Sequence, residues 1–183
     1  GRDLNLAAAE LWHQLRDRGA RGGVSNWDAS GIFSDLRLEK RKHLSLSPRT
    51  LLLLYAADLV FRLRWEIRPA LDLGQVIVAA PYVETAGAFG VASGLPQSWL
   101  TTLFAFAPPP DDCYRIKAGR STSSGRERWS DGFCEFCLAI LAVGLSPAGR
   151  HQLLDNMVSH LERLEGKNRC RRLTRREISA QRP

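Results

Sequence analysis

The stretch Gln75-Val-Ile-Val-Ala79 is the place where the sequence offers a choice between strand and helix. Its β-branched residues favour a strand. However, residues 70–92 around it are rich in Ala and Gly, and no other segment of the chain is a clear partner strand. We therefore predict a helix that is broken at Pro81, and an all-α fold for the whole chain.

Three Leu-(Ser)-Pro segments mark the starts of helices along the rest of the chain. They begin at Leu46, Leu95 and Leu145, and these leucines are 49 and 50 residues apart. Proline at the first helical position loses no hydrogen bond, and Ser47 and Ser146 can each supply an N-cap oxygen. Each segment is interpreted as the second helix of a helical hairpin. Stacked hairpins predict a short, irregular α-solenoid, whereas a chance recurrence of a good helix start predicts an irregular helical bundle.

The other segments complete a predicted domain of helices over residues 1–166. A helix over residues 4–16 precedes a Gly-rich break at 18–26, and a short helix begins at Asp28. The helix that begins at Ser47 is expected to continue until Pro69 interferes. A loop is predicted at 107–129 because it is rich in Pro, Gly and Ser.

The positive charge is concentrated at the C-terminal end of the chain. The 26 Lys and Arg residues exceed the 19 Asp and Glu residues, for a net charge of +7. Residues 167–183 contribute seven of these basic residues and one acidic residue, so the rest of the chain is nearly neutral. The guanidinium group of Arg binds phosphate in a bidentate manner, which favours nucleic acid as the partner of this tail. An acidic protein, an anionic lipid or a merely solvated tail are the alternatives.

The candidate RNA-binding residues lie in this basic tail and in the predicted loop before residue 130. The cations would contact phosphates, and Trp129 could stack on a base. For the residues in the predicted loop, an ordinary surface loop is the alternative. This segment lacks the Gly-Lys-Ser/Thr ending of a P-loop. The set comprises Lys167, Arg169, Arg171, Arg172, Arg175, Arg176, Arg115, Lys117, Arg120, Arg126, Arg128 and Trp129.

Cysteine and histidine residues show no spacing that is typical of a metal site. Cys134 and Cys137 face one side of an apolar helical segment, where they are interpreted as small buried residues, with a disulfide or zinc as alternatives. No carboxylate pair, nucleophile with a base, or cofactor motif is present, so we predict neither catalysis nor a cofactor. No apolar stretch reaches the roughly 18 residues that would cross a bilayer. Because the only methionine is Met157, we interpret the chain as a processed form or a fragment.

Residues 133–157 resemble one unit of the heptatricopeptide and octotricopeptide repeat families. The likeness rests on the helix end Leu141-Ala-Val-Gly144, the turn with Pro147, and a second helix that carries Leu153-Leu154. The resemblance implies an organellar, helical-repeat protein that binds RNA. The spacing of about 50 residues and the absence of a terminal RAP-type domain depart from the pattern of these families.

These features together predict a non-catalytic component of an organellar ribonucleoprotein. The specific expectation is a mitochondrial ribosomal protein whose helical body contacts neighbouring proteins and whose tail and loop contact rRNA. The alternative is an accessory subunit of a membrane-associated mitochondrial complex, with the tail on lipid or on an acidic partner.

Overall fold

A parallel pair of strands lies at the centre of this chain, which makes the fold α/β. The computed structural model describes residues 4–38, 46–116, 133, 136, 137, 146–165 and 170–173. Strand β1 (Gly22–Asn26) pairs in parallel with strand β2 (Val76–Ala80), with Gly22 opposite Val76 and Asn26 opposite Ala80. The prediction of an all-α fold is therefore wrong, and so is the prediction of a helix at residues 75–79. The described residues show no repeating solenoid of hairpins.

The described residues also contain further helices and a second pair of strands. The helices are α1 (Leu4–Asp17), α2 (Ile32–Leu38), α3 (Pro48–Arg62), α4 (Arg68–Asp72), α5 (Val83–Ala92), α6 (Gln97–Leu103) and α7 (Pro147–Glu165). Strands β3 (Cys113–Ile116) and β4 (Cys170–Leu173) form the second parallel sheet. They lie inside the segments that were predicted as a loop at 107–129 and as a basic tail at 167–183.

The sequence did not indicate β1 as the partner strand of β2. This is because β1 contains two glycines and lies more than 50 residues away in the chain. Parallel strands need a long crossover connection, which here runs through α2, α3 and α4. Gly22 has a φ of 141°, and a Cβ atom at this position would overlap the carbonyl group of Val76. Close contact between the two backbones therefore requires glycine where strand propensity disfavours it.

The helical stretch that begins at Ser47 does not end at Pro69. A π-helical turn (Leu63–Ile67) follows α3, and the Arg68 N–H donates to the Leu63 carbonyl, five residues earlier. Pro69, which has no N–H group, then lies in the first turn of α4. The wider turn shifts the hydrogen-bond register, so the helical path continues to Asp72.

The main core lies between α3, α5, α7 and a group of aromatic rings. Leu51, Leu52, Tyr55 and Leu59 of α3 are fully buried, and Met157 of α7 packs in the same core. The aromatic group contains Trp27, Phe33, Phe133 and Phe136, with ring centroids 4.9 to 6.1 Å apart. Phe133 also contacts Tyr55 at 4.5 Å and so connects this group to α3.

The predicted N-caps at Ser47 and Ser146 are confirmed, whereas Pro96 lies one residue before the start of α6. The Ser47 hydroxyl accepts from the Thr50 N–H at 3.1 Å, and Pro48 is the first residue of α3. The Ser146 hydroxyl accepts from the Gly149 N–H in the same way at 3.1 Å. No helix in the described part of the chain is long and apolar enough to cross a membrane.

Candidate functional site

The strongest polar cluster of the described structure lies at the carboxyl ends of β1 and β2. Its centre is Arg62, which is fully buried although it is charged. Its Nη2 donates to the Ser25 carbonyl at 2.7 Å, its Nε to the Ser25 hydroxyl at 2.9 Å, and its Nη1 to the Pro81 carbonyl at 3.0 Å. Because Ser25 lies in β1 and Pro81 directly follows β2, one side chain of α3 joins the two strand ends.

Two neighbouring groups complete the connection between α3 and the strand ends. The Tyr55 hydroxyl donates to the carbonyls of Pro81 at 3.0 Å and Tyr82 at 3.2 Å. The Ser25 hydroxyl donates to Glu66 Oε2 at 2.6 Å, while it accepts from Arg62. Ser25 therefore lies between the buried cation and a carboxylate of the π-helical turn, which compensates the burial of a charge.

A second carboxylate of α3, Asp58, holds the loop that follows β1. It is fully buried and accepts from the backbone N–H of Asp28 at 2.9 Å, the N–H of Ser30 at 2.9 Å and the Ser30 hydroxyl at 2.8 Å. Asp28 has a φ of 63°, and its own carboxylate accepts from the N–H groups of Phe33 at 2.7 Å and Ser34 at 2.8 Å. The carboxylates of Asp58 and Asp28 therefore fix this loop, and the Asp28 carboxylate accepts from N–H groups in the first turn of α2.

Tyr82 lies between the end of β2 and the first turn of α5. Its hydroxyl donates to the Pro108 carbonyl at 2.8 Å. Burial raises the pKa of the Tyr82 phenol and the Glu84 carboxylate adds to this effect, while the positive charges of Arg62 and Arg68 oppose it. Tyr82 is therefore held in its neutral, hydrogen-bonding form beside charged groups of both signs.

A cavity of about 330 Å³ lies between α5, α6 and α7, and no residue of the Arg62 cluster lines it. Its walls are mostly apolar, and Glu84, Thr101 and His160 bring polar atoms to it. Burial lowers the pKa of His160, and the nearby Arg163 lowers it further. The cavity is lined by Val83, Glu84, Gly87, Gln97, Leu100, Thr101, Phe104, Ala105 and His160.

Two separate features of the described residues have the general form of ligand sites in α/β proteins: the loops after β1 and β2, and the cavity between the helices. In parallel sheets, ligands bind beyond the carboxyl ends of the strands, on loops that a rigid scaffold positions. A small, mostly apolar cavity with a few convergent polar groups is the usual form of a small-molecule site. Within the described ranges, no group of three or more His, Cys, Asp or Glu residues is arranged to hold a metal ion.

Three of the residues that were predicted to bind RNA lie in the described strands, and none of these three belongs to the Arg62 cluster. Arg115 lies in β3, and Arg171 and Arg172 lie in β4, where Arg115 is opposite Arg172 in the register of the ladder. Lys167, Arg169, Arg175, Arg176, Lys117, Arg120, Arg126, Arg128 and Trp129 lie outside the described residues.

The cysteines fall into different environments. Cys137 is a buried thiol in helical conformation, as its interpretation as a small core residue predicts. Cys113 is disulfide-bonded, although no disulfide was predicted at this position. Cys134 lies outside the described residues.

Sequence reasoning missed the cluster around Asp58 and Arg62, although a signal was present. Both are charged residues in the apolar stretch 51–63, four positions apart and therefore on one face of α3. Charged residues on a buried helix face must be compensated by partners, which marks the place where α3 contacts other polar groups. The partners themselves, Ser25 and Pro81, carry no recognisable motif.

Comparison with curated proteins found partial similarity to thymidylate kinases of archaea, and no protein-family model matches the chain. The "Probable thymidylate kinase" of Caldivirga maquilingensis is 27% identical over 84 residues, which cover 46% of this chain and 41% of that protein. The "Probable thymidylate kinase 2" of Saccharolobus solfataricus is 30% identical over 94 residues, which cover 51% and 44%. The "Probable thymidylate kinase" of Pyrococcus abyssi is 39% identical over 59 residues, which cover 32% and 29%.

The chain spans less than half the length of the curated relatives that it matches. The matches nevertheless contradict three of our predictions: a structural ribosomal protein, an RNA-binding role and the absence of enzymatic activity. The RNA-binding prediction rested on the arginines of the tail and the loop, and the correction rests on the similarity to thymidylate kinases.

Proposed function

We propose that this chain belongs to a nucleotide kinase that binds a nucleoside monophosphate at the carboxyl ends of β1 and β2. The observation that carries this proposal is the partial identity with three thymidylate kinases. The names of these relatives make thymidylate the first acceptor to test and ATP the first phosphoryl donor.

The architecture of the site supports the same proposal. Phosphoryl transfer depends mainly on positioning and on electrostatic stabilisation, because there is little covalent chemistry for the protein to perform. Arg62 and Asp58 fix the ends of both strands and the loop after β1 through buried hydrogen bonds. A substrate that contacts these loops therefore meets a rigid surface, which is the condition for accurate positioning.

Glu84 is the described residue that we expect to contact the substrate directly. It lies in the first turn of α5, two residues after Tyr82, and it lines the cavity. A carboxylate accepts hydrogen bonds from sugar hydroxyls or base N–H groups, which a nucleoside supplies. Leu100 and Phe104 provide apolar walls of the kind that contact a planar base.

The direct test is a kinase assay on the full chain with MgATP and thymidylate. Formation of ADP and thymidine diphosphate is measured by chromatography. We expect turnover that saturates with thymidylate, and Glu84→Gln should lower kcat/KM by roughly tenfold or more, since a substrate contact is lost. Asp72→Asn is the matched control, because Asp72 is an exposed carboxylate before β2, at the opposite end of the strand.

A separate measurement of binding distinguishes the two parts of the proposal. Isothermal titration calorimetry with thymidylate alone reports the acceptor site without any chemistry. Binding that Glu84→Gln weakens, without any phosphoryl transfer, would support the site and reject the kinase activity. If neither thymidylate nor other nucleoside monophosphates bind at millimolar concentrations, the whole proposal fails.

A further inference from the structure

The second sheet contains a pair of cysteines at matching positions. Strands β3 and β4 run in parallel, and Cys113 is opposite Cys170 in the first rung of their ladder. Cys113 is disulfide-bonded, whereas Cys137 is a buried thiol. Neighbouring strands lie about 4.8 Å apart, and this separation falls within the Cα–Cα range of about 4.4 to 6.8 Å for disulfides. We propose that Cys113 and Cys170 form a disulfide that cross-links β3 to β4.

The ladder of this sheet gives a physical reason for such a cross-link. Among the described strands, β3 pairs only with β4, and a two-stranded sheet is marginally stable by itself. The register also places Arg115 opposite Arg172. The cross-link joins residues that are 57 positions apart in the chain, and a covalent bond that closes a long loop removes much of its conformational entropy.

The bond makes the second sheet sensitive to thiol–disulfide exchange. The thiolate of one cysteine attacks a low-molecular-weight disulfide, such as glutathione disulfide, and releases one glutathione thiol. The second cysteine then attacks the mixed disulfide, which forms the Cys113–Cys170 bond and releases the second glutathione thiol. Two protein thiols are oxidised and one glutathione disulfide is reduced to two thiols, so an excess of a reducing thiol reverses the reaction.

A tryptic map without reduction identifies the partner of Cys113 directly. The full chain is equilibrated with glutathione disulfide, alkylated and digested. Trypsin places Cys113 in the peptide 65–115, Cys170 in the dipeptide Cys170-Arg171, and both Cys134 and Cys137 in the peptide 129–150. We expect the peptide 65–115 linked to Cys170-Arg171. A link to 129–150, or the recovery of only alkylated Cys113, would overturn the proposal.

Hydrogen exchange tests whether the bond holds the two strands together. Reduction of the wild-type chain should accelerate amide exchange at residues 113–116 by about tenfold or more, while residues 76–80 in β2 remain protected. Cys170→Ser should reproduce the fast exchange without reductant, and Cys134→Ser is the control that should retain the slow exchange. Equal exchange at 113–116 before and after reduction of the wild-type chain would show that the bond does not hold the ladder.

Discussion

The two sheets of this protein are both parallel and two-stranded, yet different interactions hold them together. In the first sheet, Tyr55 and Arg62 of α3 form hydrogen bonds with both strand ends, and α1 packs against both strands. In the second sheet, the described interaction between the strands is the backbone ladder, to which the proposed Cys113–Cys170 bond would be added. A short parallel pair of strands requires stabilisation beyond its own backbone hydrogen bonds. Buried side chains of a neighbouring helix or a covalent bond can supply it.

Removal of the buried cation Arg62 should have the largest effect on the stability of the first sheet. Arg62→Met should lower the free energy of unfolding by about 3 kcal/mol, because the Pro81 carbonyl and the Ser25 groups lose a buried donor. Urea denaturation followed by circular dichroism measures the change. Arg64→Met is the control, since Arg64 is exposed and stacks on Trp65. If both variants lose the same stability, side chains of α3 do not hold the first sheet.

The close contact of the two backbones in the first sheet gives the next largest effect. Gly22→Ala should cost about 2–3 kcal/mol, because the new Cβ would overlap the Val76 carbonyl and the φ of 141° disfavours a side chain. Gly23→Ala, one residue later, meets no atom within 4 Å and should cost far less. The difference in melting temperature between the two variants checks this, and similar melting temperatures would contradict it.

Replacement of Arg172 should stabilise the second sheet and leave the first sheet unchanged. Arg172→Thr places a β-branched residue with higher strand propensity opposite Arg115 in the register, which should stabilise the ladder by about 0.5 kcal/mol. Hydrogen exchange at residues 113–116 should become slower, while exchange at 76–80 does not change. Arg163→Thr removes an exposed cation of α7 and controls for the change in net charge. Faster exchange at 113–116 in Arg172→Thr would show that Arg172 supports the ladder.

The smallest effect concerns His160 in α7. This helix packs on α5, and β4 of the second sheet follows it in the chain. Burial and the charge of Arg163 lower the pKa of His160 in the folded state. The unfolded chain therefore binds more protons as the pH falls below about 6.5, so the free energy of unfolding should decrease there. His160→Gln should remove this part of the pH dependence, as denaturation between pH 7.5 and 5 would reveal. A His160 pKa above 6.5 in an NMR titration would contradict the prediction.

The candidate site could be predicted from the sequence only in part. Asp58 and Arg62 stand out in the apolar stretch 51–63, so a closer reading of α3 would have marked it as a polar contact. The groups that they contact, Ser25, Asp28 and Pro81, lie in segments whose sequences predict breaks and turns. Their role depends on the approach of segments that are 19 to 37 residues apart in the chain.

The starts of α3 and α7 follow from the local sequence alone. Ser47 and Ser146 accept from an N–H group three residues later, and such a cap needs only the local backbone. The tertiary structure alone decided that residues 76–80 form a strand, because a strand requires a partner and β1 is a glycine-containing segment beyond a long crossover. It also decided that α3 contacts the carboxyl ends of both strands. Local capping is fixed by a few neighbouring residues, whereas strand pairing and buried charge compensation depend on packing across the whole chain.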